Sequence, residues 1–106
     1  MGVFVICVYK PRRGKGAALR RVLQKHLRVL WREGLAAKRK PYLMRAANGA
    51  YIEVFEWRSE KAIERAHGNP AILAMWREFE ACCTYESLST LKESRQMFAS
   101  FEPMKN

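Results

Sequence analysis

The stretch Asn48-Gly49-Ala50-Tyr51-Ile52-Glu53-Val54-Phe55-Glu56-Trp57-Arg58-Ser59 decides the fold, because a turn signal and an aromatic strand follow one another without a spare residue. Asn48-Gly49 lies between two runs of β-forming residues and predicts a two-residue hairpin, since both central positions of a type I′ turn need positive φ. Pairing Ala47 with Ala50 then sets Met44 opposite Glu53, Tyr42 opposite Phe55 and Arg45 opposite Ile52. The two-residue strand period sends alternate pairs to opposite faces. One face is expected to carry Tyr42, Met44, Tyr51, Glu53, Phe55 and Trp57, an aromatic surface with one carboxylate in its middle. The other carries Leu43, Ile52 and Val54, with Arg45 and Glu56 towards its ends.

Upstream of the hairpin, Val3 to Tyr9 is apolar at almost every position, which predicts a strand covered on both faces. Lys10-Pro11-Arg12-Arg13-Gly14 breaks it. From Lys15 the positions Leu19, Val22, Leu23, Leu27, Leu30 and Trp31 recur at helical spacing, with Arg20, Arg21, Gln24, Lys25, Arg28 and Arg32 opposite and Gly34 as the stop. His26 falls on the apolar stripe between Val22 and Leu30 and reads as a core or interface histidine. Downstream, Ser59 caps a short helix that ends at Gly68. Asn69 caps a second with Pro70 at its first position, where a missing N–H costs nothing. Thr84 to Leu88 reads as a last short strand.

The order β, α, β, β, α, β describes an α+β fold, the ferredoxin-like split βαβ sandwich: an antiparallel sheet with helices on one face. The chain is 106 residues, one domain with a single core. Residues 89–106 read as a C-terminal amphipathic arm, with Leu91, Phe98 and Phe101 between charged residues. Helices on one side leave the other face of the sheet, expected to be the aromatic one, in need of a second cover.

Twenty Lys and Arg stand against ten acids, all Glu, for a formal net charge of +10. Thirteen of the basic residues fall within positions 1 to 45, where Glu33 is the one acid. Such asymmetry suits nucleic acid, an anionic membrane or an acidic substrate, but here the charges follow helical spacing and read as a solvated helix face. Cys7, Cys82 and Cys83 fit no metal or redox spacing and read as buried thiols in a reducing compartment. No apolar run reaches the length of a membrane span, and Val3 to Val8 precedes its basic cluster, the reverse of a signal peptide. The expectation is a soluble, cytoplasmic protein.

A strand ending in Glu56-Trp57-x-Ser59, then Ala62 and a His at the helix end, after a hairpin and a strand-helix unit broken by Lys10-Pro11-x-x-Gly14-Lys15, resembles the dimeric α/β-barrel proteins of the antibiotic biosynthesis monooxygenase-like superfamily. The likeness covers roughly residues 3 to 88. Tyr51-Ile52-Glu53-Val54-Phe55-Glu56-Trp57 and Ala66-His67-x-Asn69-Pro70 look like a subgroup of small proteins within it, which bears on fold more than on activity. The resemblance implies a homodimer packed through the sheet face, with a largely apolar pocket in each half. For some members it implies oxygenation of an aromatic or quinol-like substrate with no cofactor, neither metal nor flavin. Others degrade haem, but that branch uses an Asn on the first strand, where this chain offers Cys7 and Tyr9.

For a cofactor-free oxygenase the minimum is an apolar pocket and a base that turns a phenol or enol into its anion. Glu53 is the leading base candidate, because aromatic surroundings would strip its charged form of hydration and raise its pKa. Its structural alternative is a partner such as Arg45, Lys40 or a residue of a second subunit. His67, at a helix C-terminus, is the second catalytic candidate, set against a hydrogen bond that ties the helix break together. Tyr42, Met44, Tyr51, Phe55 and Trp57 complete the expected pocket.

Two other uses of the sheet remain open in the sequence. Tyr42, Tyr51 and Phe55 would form a base-stacking platform for single-stranded nucleic acid, with the basic helix and Lys38-Arg39-Lys40 on the phosphates. The fit to that motif is poor, and Glu53 would repel the backbone. A non-catalytic dimeric ligand-binding or assembly module is the third, since fold does not determine function.

Overall fold

The computed structural model describes residues 1–105; Asn106, the last residue of the expected arm, lies outside them. Strand β1 (Val3–Pro11) leads through Gly14, at φ 75°, into helix α1 (Gly16–Arg32), which ends where Gly34 turns with φ 72°. Strands β2 (Tyr42–Arg45) and β3 (Tyr51–Trp57) form the hairpin, and helices α2 (Glu60–Ala66) and α3 (Pro70–Cys82) lead to β4 (Cys83–Glu86) and a two-residue β5 (Glu102–Pro103). The sheet order is β4-β1-β3-β2-β5 with every pairing antiparallel. This is the ferredoxin-like α+β sandwich, extended by β5 beyond β2.

Both expected caps form. Ser59 Oγ accepts from Ala62 N at 3.1 Å, and Asn69 Oδ1 accepts from Ala71 N and Ile72 N at 2.9 and 3.2 Å, with Pro70 opening α3. The Asn69 amide also donates to Glu33 Oε1 at 2.9 Å, which ties the start of α3 to the segment just after α1.

The hairpin differs from its expected register by one residue. Ala46, not Ala47, faces Ala50: Ala46 N donates to Ala50 O at 2.9 Å and Gly49 N donates to Ala46 O at 3.0 Å. Only Gly49 takes positive φ, 90°, while Asn48 stays out of the left-handed region and uses its side-chain oxygen to accept from Ala50 N at 2.9 Å. The loop thus has three residues, a turn closed by a left-handed glycine, instead of the two-residue type I′ turn. A one-residue slip reverses the faces of a strand. Tyr42 now lies opposite Val54 and Met44 opposite Ile52, so both leave the face of Glu53, and Leu43 takes their place there.

The second correction concerns which face is covered. Val3, Val5, Cys7 and Tyr9 of β1 pair with Trp57, Phe55, Glu53 and Tyr51 of β3, and this aromatic face packs beneath the stripe of α1 and the apolar side of α3. The face left open carries Phe4, Ile6 and Tyr42, exposed to 62%, 50% and 72%. β1 is therefore covered on one side and open along much of the other, which its unbroken apolar run did not disclose. The covered face is the one that holds the buried Glu53 carboxylate, whose hydrogen-bond partners lie on β1 and α1.

The arm docks on its own sheet. Leu91 is buried against Val8, Ala46, Ala50 and Ile52, with Phe101 packed beside them, and Glu93 Oε2 accepts from Ala47 N at 2.8 Å. It contains two 3₁₀ turns, Leu88–Thr90 and Lys92–Arg95, and Phe98 stays exposed. Leu91→Ala should lower the unfolding free energy by about 2–4 kcal/mol in urea titrations. A loss below about 1 kcal/mol would mean that the arm does not pack in solution.

Candidate active site

Three side chains from three elements meet under α1. Glu53 sits at the middle of β3 with no exposed surface. Its Oε1 accepts from the Tyr9 hydroxyl at 2.8 Å and lies 2.8 Å from His26 Nδ1. Tyr9 comes from β1, two residues beyond the Cys7 that faces Glu53, and His26 from the centre of the α1 stripe. A carboxylate only accepts, so His26 Nδ1 is the donor in this pair. Glu53 Oε2 is buried with no hydrogen-bond partner among the described residues. An unmatched buried carboxylate oxygen costs about 1–3 kcal/mol or more, and such costs gather at functional sites.

Aromatic rings hold this group in place. Tyr9 stacks on Phe79 at 5.0 Å between centroids, and His26 makes T-shaped contacts with Phe55 and Phe79 at 5.3 and 5.0 Å. Beside them lies a cavity of about 390 Å³, between the sheet and α3, within the size range of small-molecule sites. Its wall includes Cys7, Tyr9, His26, Phe55, Trp57 and Trp76, with Glu80, Tyr85 and Glu86 towards β4. β4 pairs only with Val8 to Pro11, so the edge of β1 from Val3 to Cys7 runs past its end, and Val5, Ile6 and Cys7 line the cavity there.

Burial sets the protonation of the wall. It pushes the Cys7 thiol up to about 11, the Tyr9 hydrogen bond pulling the other way and the Glu53 charge adding to the rise. Tyr9 is raised well above its ordinary 10.0, by burial first and the Glu53 charge next. Near neutral pH both are therefore protonated hydrogen-bond donors, so the thiol is no ready nucleophile.

Of the residues expected at the site, Glu53, Phe55 and Trp57 converge here, although Glu53 stands behind Tyr9 and His26 and does not itself line the cavity. Its partners are these two and not Arg45 or Lys40. Tyr51 is buried on the same face but at its other end, where its hydroxyl accepts from Arg20 Nη1 at 2.9 Å. Tyr42 and Met44 are on the open face. His67 is exposed; its Nδ1 bonds Ile63 O at 2.9 Å, and it touches the site only through the edge of Trp76 at 5.1 Å. Tyr42 is separated from Tyr51 and Phe55 by the whole sheet, and the last two are roofed by helices, so the base-stacking platform does not exist.

Sequence reasoning passed over Tyr9, His26, Trp76 and Tyr85. A signal for His26 was present: a lone histidine in an otherwise aliphatic stripe needs a buried partner, and Glu53 was the one acid expected inside the sheet.

No family model matches the chain, and no curated protein matches it in sequence. The fold is that of a ferredoxin-like α+β protein, with a cavity of small-molecule size between the sheet and α3. Among solved structures it is similar to SnoaB, a cofactor-independent oxygenase from Streptomyces nogalater, with a TM-score of 0.66 and 20% sequence identity, covering 80% of this chain and 86% of that one. At that identity the likeness establishes the fold.

Cys7 supplies a pH test. Between its ordinary 9.0 and about 11 the unfolded chain releases the thiol proton while the folded chain keeps it. The unfolded state then binds fewer protons, so stability falls as pH rises, and Tyr9 adds to the fall above its ordinary 10.0. Urea midpoints measured from about pH 8 upward should decline, and less steeply in Cys7→Ala. Equal slopes in the two proteins would show that the thiol is solvated.

Proposed function

We propose that this protein is a small-molecule enzyme of the cofactor-independent oxygenase kind, acting on an aromatic or quinol-like substrate in the cavity between sheet and α3. The observation that carries this reading is the buried Glu53 carboxylate joined at 2.8 Å to Tyr9 and to His26, both of which line an aromatic-walled cavity. Likeness in fold to a cofactor-independent oxygenase supports it.

In this reading His26 Nε2 takes the hydroxyl proton of a bound phenol or enol. The imidazolium so formed is stabilised by Glu53 at the other nitrogen, and the protonated Tyr9 helps to hold the carboxylate in place. The substrate anion passes one electron to dioxygen, and the radical pair combines at carbon to give a peroxide that His26 reprotonates. The peroxide carbon still bears a hydrogen; its C–H and the O–O bond then break, the proton and hydroxide leave as water, and a carbonyl carrying one oxygen atom of the dioxygen remains. Glu53 is a positioning residue here, acting through His26. His67 has no part in the proton transfer and supports the Trp76 wall.

The open face of Phe4, Ile6 and Tyr42, with Val54 between them, is covered in this reading by a second copy of the chain. Such a contiguous apolar surface is seldom left in water, and the superfamily resemblance points to the same homodimer. The wild-type protein should give a dimer mass by light scattering, and Ile6→Glu a folded monomer. A monomeric wild type would sink the dimer.

Oxygen uptake with a two-ring hydroquinone and a three-ring anthrone as probes tests the chemistry. His26→Asn should lower kcat about 100-fold or more, and Glu53→Gln about 10- to 100-fold with little change in KM. Wild-type rates in both variants would remove the proton relay. Tight binding of the probes with no oxygen uptake would leave a ligand-binding module in place of an enzyme.

A further inference from the structure

Charge is distributed around the cavity in the opposite sense to the rest of the chain. The protein has twenty Lys and Arg and a net charge of +10, yet none of those cations lines the cavity, whereas Glu80 of α3 and Glu86 at the end of β4 do. Neither of these glutamates is among the acids held in ion pairs with Lys or Arg, which are Glu33, Glu56 and Glu78 among the described residues. The Glu86 carboxylate accepts from the Thr84 hydroxyl at 3.1 Å. A third carboxylate, Glu53, stands behind the inner wall with one oxygen unmatched. Between the inner end and the rim the wall is aromatic, including Phe55, Trp57, Trp76 and Tyr85. The faces of such rings attract cations.

From this arrangement we infer that the cavity selects an aromatic ligand bearing a protonated amine, with the ring system inside and the ammonium at the rim by Glu80 and Glu86, and disfavours ligands with a carboxylate or phosphate. The inference rests on the cavity being the ligand site, as in the proposed function, and adds the substrate's charge to it. A carboxylate in the cavity would find no Lys or Arg in the wall to replace its lost hydration, and two glutamates lining the same space. An ammonium near the rim stays partly hydrated and gains both the carboxylates and the ring faces. Glu80 also makes itself felt locally: Tyr85 is pushed up to about 12, by burial first, with Cys83 and then Glu80 adding to the rise.

Three probes of one size separate the possibilities: (naphthylmethyl)ammonium, naphthylmethanol and naphthoate, titrated into the intact protein by calorimetry at low salt. Nonspecific attraction to a chain of net charge +10 would favour naphthoate. The expected order is ammonium, then alcohol, then naphthoate, with about a tenfold span between first and last that narrows as salt is added. The double variant Glu80→Gln/Glu86→Gln should compress that span to about threefold or less. The charge-matched pair Glu60→Gln/Glu64→Gln, on α2, should leave it in place. Naphthoate binding as tightly as the ammonium, or equal compression in the two double variants, would overturn the charge selectivity while keeping the cavity as a ligand site. Failure of all three probes to bind would overturn the ligand site itself, and the proposed function with it.

Discussion

Glu53 is a carboxylate in the middle of the central β3, with no solvent exposure. Taking such a group out of water costs several kcal/mol unless it is bonded, and the two bonds that offset the cost come from Tyr9 on β1 and His26 on α1. Together they fix the register of β1 on β3 and set the height of α1 over the sheet, because a shift of either by one residue would leave a charge buried alone. The surrounding rings follow from that placement. Phe79 can touch both Tyr9 and His26 only because one carboxylate oxygen has drawn them together.

The same constraint orients the whole sandwich. The sheet has two partly apolar faces, and aliphatic packing alone would not choose between them. The face with the carboxylate must meet the element that carries its partner, so helices cover Tyr51, Phe55 and Trp57, and Phe4, Ile6 and Tyr42 are left on the other side. The C-terminal arm then covers only one end of that open face, around Ile52 and Leu91. A cavity walled by aromatic rings remains where β4 stops short of the end of β1.

Basic residues serve a different purpose. Most lie along the exposed side of α1 and in the loops, where they stay hydrated, and the few ion pairs they form, such as Lys25 with Glu78 and Arg39 with Glu56, are at the surface. Their exclusion from the cavity means that the strong positive charge of the chain describes its outer surface and not its internal site. Charge composition is thus a poor guide to what this cavity takes, and the local count at its rim is the better one.

Local chemistry determined much of the architecture from the sequence. The α1 stripe, the Ser59 and Asn69 caps, Pro70 at a helix start and the order of elements depend on neighbours a few residues apart, so periodicity and capping rules read them directly. Phe55 and Trp57 were legible as cavity residues because they share the face of Glu53 whatever the hairpin does. Tyr42 and Met44 were misplaced because the loop takes in Ala47 as a third residue and closes on Ala46, and that one-residue difference turns β2 over. His26, Tyr9 and Trp76 could not be joined to Glu53 from spacing, since they come from separate elements. The sequence by itself determined which segments are strands and helices and that a carboxylate lies inside the sheet. Only the tertiary structure decided which face is covered and which side chains meet, because the bonds that satisfy a buried charge span 44 and 27 residues of chain and exist only once the layers have closed.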